Sequence, residues 1–454
     1  MSSFKAAWDS LDSPHGLLAR AMTMDERGLL SASIRKEEFG ALPQLRRGFT
    51  FVDKLRLQSR PSYTIEDVLY RRFFGETPKL VRSGPSFKMK FEKEELETEF
   101  KDEAVIVVDT FSTGASLAHM LYKAGYHVVC VLSGELEGLL DMMPEGLDFS
   151  FAGTILYDSK AEESVAFGKV VGAIQALKWP VVAVFAGAET GVELSDKLSE
   201  HLGLRTNGTA LSEARRNKYV MGETIRAAGV RAVKQLRAST WGEISSFIAE
   251  WNPDPFKVIV KPMDSAGSDG VTLCLSLAEV ETAFGNIMGK VNGLGLVNKA
   301  VLVQEYLEGP EYVVDMVSRD GEHKVVALWL YDRRASNGAG FVNFGQRLLV
   351  PSEDPCCRPI IDYQRKVLDA LGIFNGPSHG EVKWFKGEPV LVEVGARCHG
   401  GDGLWIGIAN EAFGCDQASA TTYAYLFPEK FDALPDEVFY ICTCPLYMTM
   451  RIQG

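Results

Sequence analysis

Three stretches of this chain carry residue types that can do chemistry together. Lys261 closes an apolar run and is followed by Pro262-Met263-Asp264-Ser265-Ala266-Gly267-Ser268-Asp269-Gly270, a loop of small residues. Backbone N–H groups and hydroxyls in such a loop can cradle phosphate oxygens while the lysine adds a point charge, and the same composition also makes ordinary surface turns. Next, Gln304-Glu305-Tyr306-Leu307 runs through Glu308-Gly309-Pro310 to Glu311. Backbone groups at a hinge of this kind can bond an adenine edge, with Glu311 accepting from ribose hydroxyls; a solvated β-turn with charged flanks fits equally. Last come Glu381-Val382-Lys383-Trp384 and Leu391-Val392-Glu393-Val394-Gly395-Ala396-Arg397, joined through Lys386-Gly387-Glu388. A hairpin there puts both glutamates on one face. Inward-facing carboxylates among apolar residues are costly unless they meet a cation, and Mg²⁺ shared with phosphate oxygens meets that need. The alternative is a half-exposed hairpin with both carboxylates in solvent.

These groups need a scaffold. Val105 to Val108 reads as a buried strand, Ser116 to Ala124 as a helix and Val128 to Leu132 as a second strand, a βαβ unit. Val181 to Phe185 followed by Glu193 to Leu202 repeats the pattern, which predicts a small open α/β sheet over 104–212. Its first turn, Asp109-Thr110-Phe111-Ser112-Thr113-Gly114, lacks the closely spaced glycines of a dinucleotide site. A helix follows from Asn217 to Ala228, then a strand at Val258 to Val260. Strands at Val301 to Val303, Tyr312 to Val317, Val325 to Tyr331, Gly380 to Trp384 and Val390 to Val394, with a helix around Ile361 to Leu371, predict antiparallel sheet covered by helices. The expected fold class is α/β with α+β lobes. Its divisions are an N-terminal extension of unclear role (1–103), the open α/β domain (104–212), a small lobe (213–300) and a C-terminal lobe (301–454).

Composition narrows the functional classes. With 454 residues, 46% of them hydrophobic, the chain can build two or three packed units. A net charge of -12 removes the basic footprint of a nucleic-acid binder. The eight cysteines lack zinc-site spacing and read as reduced thiols. No apolar run reaches the roughly 20 residues that span a bilayer, and Asp9, Asp12 and Asp25 interrupt any apolar leader, so a cytoplasmic location is expected.

The order of these pieces resembles the ATP-grasp superfamily over roughly Val105 to Gly403: a lysine before a helix, a lysine with a glycine-rich loop, a Gly-Pro-Glu hinge, then two strand glutamates and an arginine. Gly187-Ala188-Glu189-Thr190-Gly191-Val192-Glu193-Leu194, Asn207-Gly208-Thr209-Ala210, Arg216-Asn217-Lys218-Tyr219 and His379-Gly380-Glu381 are most similar to the L-amino-acid ligases, which make dipeptides or related amides. The resemblance implies an ATP-grasp fold preceded by a Rossmann-like open α/β domain. It implies that Lys218 and Lys261 hold ATP phosphates and that the loop containing Ser265, Gly267 and Ser268 closes over them. Gln304, Glu305 and Leu307 match the adenine hinge, and Glu311 the ribose glutamate. Glu381 and Glu393 match the metal carboxylates, and Arg397 the arginine that steadies phosphate and the tetrahedral intermediate. Many superfamily members carry an Asn where this chain has Gly395, although the amino-acid-ligase branch tolerates a small residue there.

The implied activity is ATP-dependent ligation. A carboxylate attacks the γ-phosphate of ATP, held with Mg²⁺ or Mn²⁺, and an amine then attacks the resulting acyl phosphate to give an amide, ADP and phosphate. Small-molecule acids and amines are the implied partners, without nucleic acid or membrane, and a homodimer is the assembly suggested by such ligases. For substrate contacts the candidates are Arg333 and Arg334, which can pair with a carboxylate or simply be exposed, and His379, which can touch substrate, orient Glu381 or bond structurally. An ATP-binding pseudoenzyme and a biotin-carboxylase-like activity are the rival readings; the two lysines and two glutamates speak against the first, and the amino-acid-ligase-like segments against the second. Related ligases usually continue through a further β-rich lobe, so the β-like Val438 to Ile452 is expected to begin a shortened end.

Overall fold

The computed structural model describes residues 100–134, 149–263, 270–291, 297–336 and 339–439, with the backbone of a short antiparallel pair, β1 (Met22–Met24) and β2 (Leu30–Ala32). Ser265, Gly267 and Ser268 lie outside the described residues, as do the rest of 1–99 and residues 440–454.

The first lobe is an open parallel sheet. Apolar runs with β-branched residues form β3 (Ala104–Val108), β4 (His127–Leu132), β5 (Gly153–Leu156) and β6 (Val181–Ala186), linked by α1 (Thr113–Lys123) and α2 (Glu163–Gln175) and followed by α3 (Val192–His201). The strand order is β5-β4-β3-β6, all parallel, so the chain reverses its direction of growth between β3 and β6. Crevices at such a reversal, beyond the strand C-termini, are where open α/β sheets place functional groups. The expected sheet is present, with β5 and α2 added to it.

Next come α4 (Ser212–Arg216) and α5 (Lys218–Ala227); Asn217 caps α5, its side chain accepting from the backbone of Tyr219 and Val220. The second lobe comprises β7 (Gln235–Ala238), α6 (Trp241–Trp251), β8 (Val258–Pro262), β9 (Thr272–Cys274), α7 (Leu277–Ile287) and β10 (Val301–Glu305). These strands form an antiparallel sheet in the order β7-β10-β8-β9. Val258 and Val260 pack with Val301 and Val303 against α6 and α7, and strand alternation turns Ile259 and Lys261 to the opposite face. Strand pairing thus gives β10 to the smaller sheet, past the division expected at 300/301.

The third lobe is a five-stranded antiparallel sheet built from β11 (Glu311–Arg319), β12 (Glu322–Ser336), β13 (Ala339–Leu349), β14 (Gly376–Phe385) and β15 (Glu388–Gly395), with α8 (Cys357–Ala370) on one face. Its order is β13-β12-β11-β14-β15. The chain then forms α9 (Leu404–Phe413), α10 (Gln417–Leu426) and α11 (Pro428–Asp432). Gly380 explains how α8 comes so close: a Cβ there would overlap the Gln364 amide of α8. Its neighbour Glu381 points the other way, into a face crowded with charge. Among the described residues, no helix is long and apolar enough to cross a membrane.

Candidate active site

Register on the large sheet sets out the charged face. Glu381 on β14 lies opposite Glu393 on β15 and Val313 on β11, while Lys383 opposes Glu311. Glu311 is 4% exposed and lies between two cations, 2.8 Å from Arg333 and 3.3 Å from Lys383. The same Arg333 reaches Glu381 at 3.1 Å, so one guanidinium bridges both carboxylates. Burial, then the neighbouring Glu381 charge, raises the Glu311 carboxyl. Burial also works against ionised Glu381, but His379 and Arg333 outweigh it and hold that carboxyl low. Arg334, the neighbouring candidate, is exposed and pairs with Asp332 at 2.6 Å, outside this cluster.

The smaller sheet and α5 bring the lysines. Lys218, at the start of α5, stands 3.0 Å from Glu393. Lys261 is buried on β8 with Lys218, Glu393, Glu381 and Glu311 around it at longer range. Burial, aided by the Lys218 charge, lowers its ammonium to about 8. The hinge residues are built in differently from one another. Gln304 is buried and donates to Gln235 at 2.8 Å. Glu305 accepts from the Lys234 backbone and meets Arg231, each at 2.8 Å. Leu307 packs with Val233 and Val390 between the two sheets. These side chains hold the hinge in place.

Arg397 follows the end of β15 and meets a partner from the first lobe. Glu189 leaves the crevice beyond β6, 2.9 Å from Arg397 Nε and 2.7 Å from Arg216 Nη1. Burial opposes charge on Glu189, but Arg397 and Arg216 hold its carboxyl below the usual range. The turn that presents it is pinned by Thr190, whose hydroxyl donates to Asp109 at 2.5 Å. Sequence reasoning quoted Glu189 within a motif and gave it no role.

Two further residues escaped sequence reasoning altogether. Asp315, buried on β11, accepts from Nδ1 of His379 and Nδ1 of His399 at 2.9 Å each, and from Trp329 Nε1 at 2.8 Å. His379 Nε2 lies 3.6 Å from Glu381, and His399 Nε2 lies 3.3 Å from the Tyr331 hydroxyl. Burial would discharge His379, but its bonds to Asp315 and Glu381 raise it to about 9; burial lowers His399 to about 4. Asp315, His379 and His399 are close enough together to hold a metal. Both imidazoles already bond Asp315, so the three form a buried hydrogen-bonded cluster behind Glu381. Among the sequence candidates, then, Lys218, Lys261, Glu311, Arg333, His379, Glu381, Glu393 and Arg397 converge, and Arg334 does not.

Known proteins resemble this chain in sequence and in fold. The ATP-grasp domain model matches residues 254–405. Dapdiamide A synthase of Enterobacter agglomerans is 33% identical over 330 residues, 72% of this chain and 74% of its own length. Alanine–anticapsin ligase of Bacillus subtilis is 28% identical over 279 residues, 55% of this chain and 56% of its own. Among solved structures, an L-amino acid ligase from Bacillus licheniformis superimposes with a TM-score of 0.58 at 18% identity, over 76% of this chain and 79% of that one. On these matches and this arrangement of sheets, the chain belongs to the ATP-grasp superfamily, among its ADP-forming carboxylate–amine ligases.

Proposed function

We propose that this ligase joins the carboxylate of one amino acid to the amine of a second, using ATP and a divalent cation bound between the two antiparallel sheets. What carries the reading is one convergence: Lys218 3.0 Å from Glu393, Glu393 opposite Glu381, and Lys261 buried beside both. The relatives' names, a dapdiamide synthase and an alanine ligase, support amino-acid-like substrates.

The donor set fits Mg²⁺ or Mn²⁺. Glu381 and Glu393 offer hard oxygens from facing strands, and their charge already draws Arg333 and Lys218 to within 3.1 Å. These two carboxylates would hold the ion, leaving its other positions to phosphate and water. When bound, it supplies charge neutralisation on the phosphates.

The chain's own residues account for the rest. A carboxylate oxygen attacking the γ-phosphate approaches like charge, and Lys218 and Lys261 offset it. The oxygen–phosphorus bond forms as the bond to ADP breaks. The amine then attacks the acyl carbon of the acyl phosphate, Arg397 stabilises the resulting oxyanion, and the carbon–oxygen bond to phosphate breaks as phosphate leaves carrying the amine's proton. Glu311 accepts from ribose hydroxyls, and Arg333, between Glu311 and Glu381, is the arginine best placed to meet a substrate carboxylate. His379, braced by Asp315, orients Glu381.

The test is phosphate release by the purified protein with Mg-ATP, scanned against amino acids singly and in pairs, with mass spectrometry of stimulated mixtures. Release that needs a pair, with a product equal to both substrates less water, is expected. ATP binding without release from any pair would overturn the amino-acid assignment.

A further inference from the structure

Gly395 stands where many ATP-grasp enzymes carry a metal-binding Asn. A Cβ built on Gly395 would lie 2.7 Å from Glu189 Oε2, 3.1 Å from Arg397 Cζ and 3.3 Å from Arg397 Nε. The space of that missing side chain is therefore occupied by the Glu189–Arg397 ion pair. Glu189 comes from the first lobe, on the turn that Thr190 pins to Asp109, and Arg397 comes from the third. Arg397 Nη1 also donates to its neighbour's carbonyl, Cys398, at 3.0 Å, and the charges of Glu393 and Glu381 act on the guanidinium at longer range. An arginine has many rotamers, and an oxyanion partner works only when it is aimed beforehand.

We propose that Glu189 is a positioning residue for amide formation: it reaches across from the open α/β lobe, through the space vacated at Gly395, and fixes the guanidinium of Arg397 toward the reacting carbon. The inference rests on the oxyanion role given to Arg397 above. Arg216 donates to the other carboxylate oxygen at 2.7 Å and anchors Glu189, whose Oε2 then meets Arg397 as a close charge contact outside hydrogen-bond alignment. Gly395 is the permissive half of the device and Glu189 the active half.

The experiment compares Glu189→Gln, Gly395→Ala, the double variant Gly395→Ala with Glu189→Asp, and Arg397→Ala in the full chain. Each is measured for kcat, for KM of each substrate, for amide formed per phosphate released, for nucleotide affinity and for thermal midpoint. Glu189→Gln is expected to lower kcat on the order of 10- to 100-fold, as misplacement of a reacting group does, and to release phosphate without matching amide. Its nucleotide affinity should be unchanged. Gly395→Ala should behave alike, because its new methyl displaces the carboxylate. The shorter Asp in the double variant should restore part of the coupling, which a purely structural defect would not do. Wild-type kcat and coupling in Glu189→Gln, or a rise in one substrate's KM at unchanged kcat, would overturn the proposal. Arg397→Ala separates the two readings: loss of coupling there with none in Glu189→Gln sinks this inference alone, whereas full activity in Arg397→Ala sinks the oxyanion role itself.

Discussion

Lys261 shows how a single burial sets a working range. Its ammonium, lowered to about 8 by burial and the Lys218 charge, is mostly protonated at neutral pH and loses its proton as pH rises through that value. Phosphate binding needs the charge, so nucleotide affinity should be flat below about pH 8 and weaken above it, as read by titration calorimetry between pH 7 and 9.5. Lys261→Arg, which stays charged, should flatten that profile; a wild-type profile that is already flat would separate Lys261 from the phosphates. For the carboxylates, Glu381→Gln and Glu393→Gln should each cut Mg²⁺-dependent turnover by at least about 100-fold, since the ion supplies several kcal/mol of charge stabilisation. A steady-state assay over a Mg²⁺ titration would detect either loss. These residues were legible because a lysine closing an apolar strand and a hairpin pair of glutamates stand out in the sequence. Asp315 and His399 were not, because 84 residues separate them and each looks ordinary within its own segment. The one available signal was an Asp inside the otherwise apolar Tyr312 to Val317, which no core strand carries without a buried partner.

At the scale of elements, the brace made by Asp315 ties β11 to β14, to Trp329 of β12 and to the turn carrying His399. Asp315→Ala leaves two buried imidazoles and an indole N–H without their acceptor. Such a loss is expected to cost about 3–5 kcal/mol, seen as a lower urea midpoint, with Asp315→Asn milder. A midpoint unchanged by Asp315→Ala would reduce the brace to incidental contacts. Much of the element order was legible from apolar runs, as at Ala104–Val108, Val258–Pro262 and the β14–β15 hairpin. Other elements went unread. α6 carries a clear start signal, Thr240 and Glu243 in a reciprocal capping box, and is as long as α1, so it was legible and was passed over. β5 alternates between half-buried and exposed positions at the sheet edge, so its pattern is weak. The assignment of β10 depended on pairing with β8 and β7, which no local period encodes.

Over the whole molecule, the candidate site exists only where three lobes meet, and ligand binding should be felt as global stability. Saturating Mg-ATP at 100 times its Kd should add about 2.7 kcal/mol to unfolding, seen as a raised thermal midpoint that Glu381→Gln forfeits. No shift with Mg-ATP would mean that the lobes do not form this site. The lobes are also stitched away from the chemistry. Arg215, fully buried, pairs with Asp196 at 2.9 Å and donates to the Leu371 carbonyl at the end of α8, while Asn207 and Asn375 exchange bonds of 2.8 Å across the same seam. That stitching bears on how the chain is made. Asn207 leaves the ribosome 168 residues ahead of Asn375, a delay of roughly 10–30 s at ordinary elongation rates. Throughout it the newborn open sheet has Asp196 and Arg215 to satisfy each other, while the surface that will receive the third lobe waits bare. The spacing of one asparagine pair thus sets how long that surface stays uncovered during synthesis.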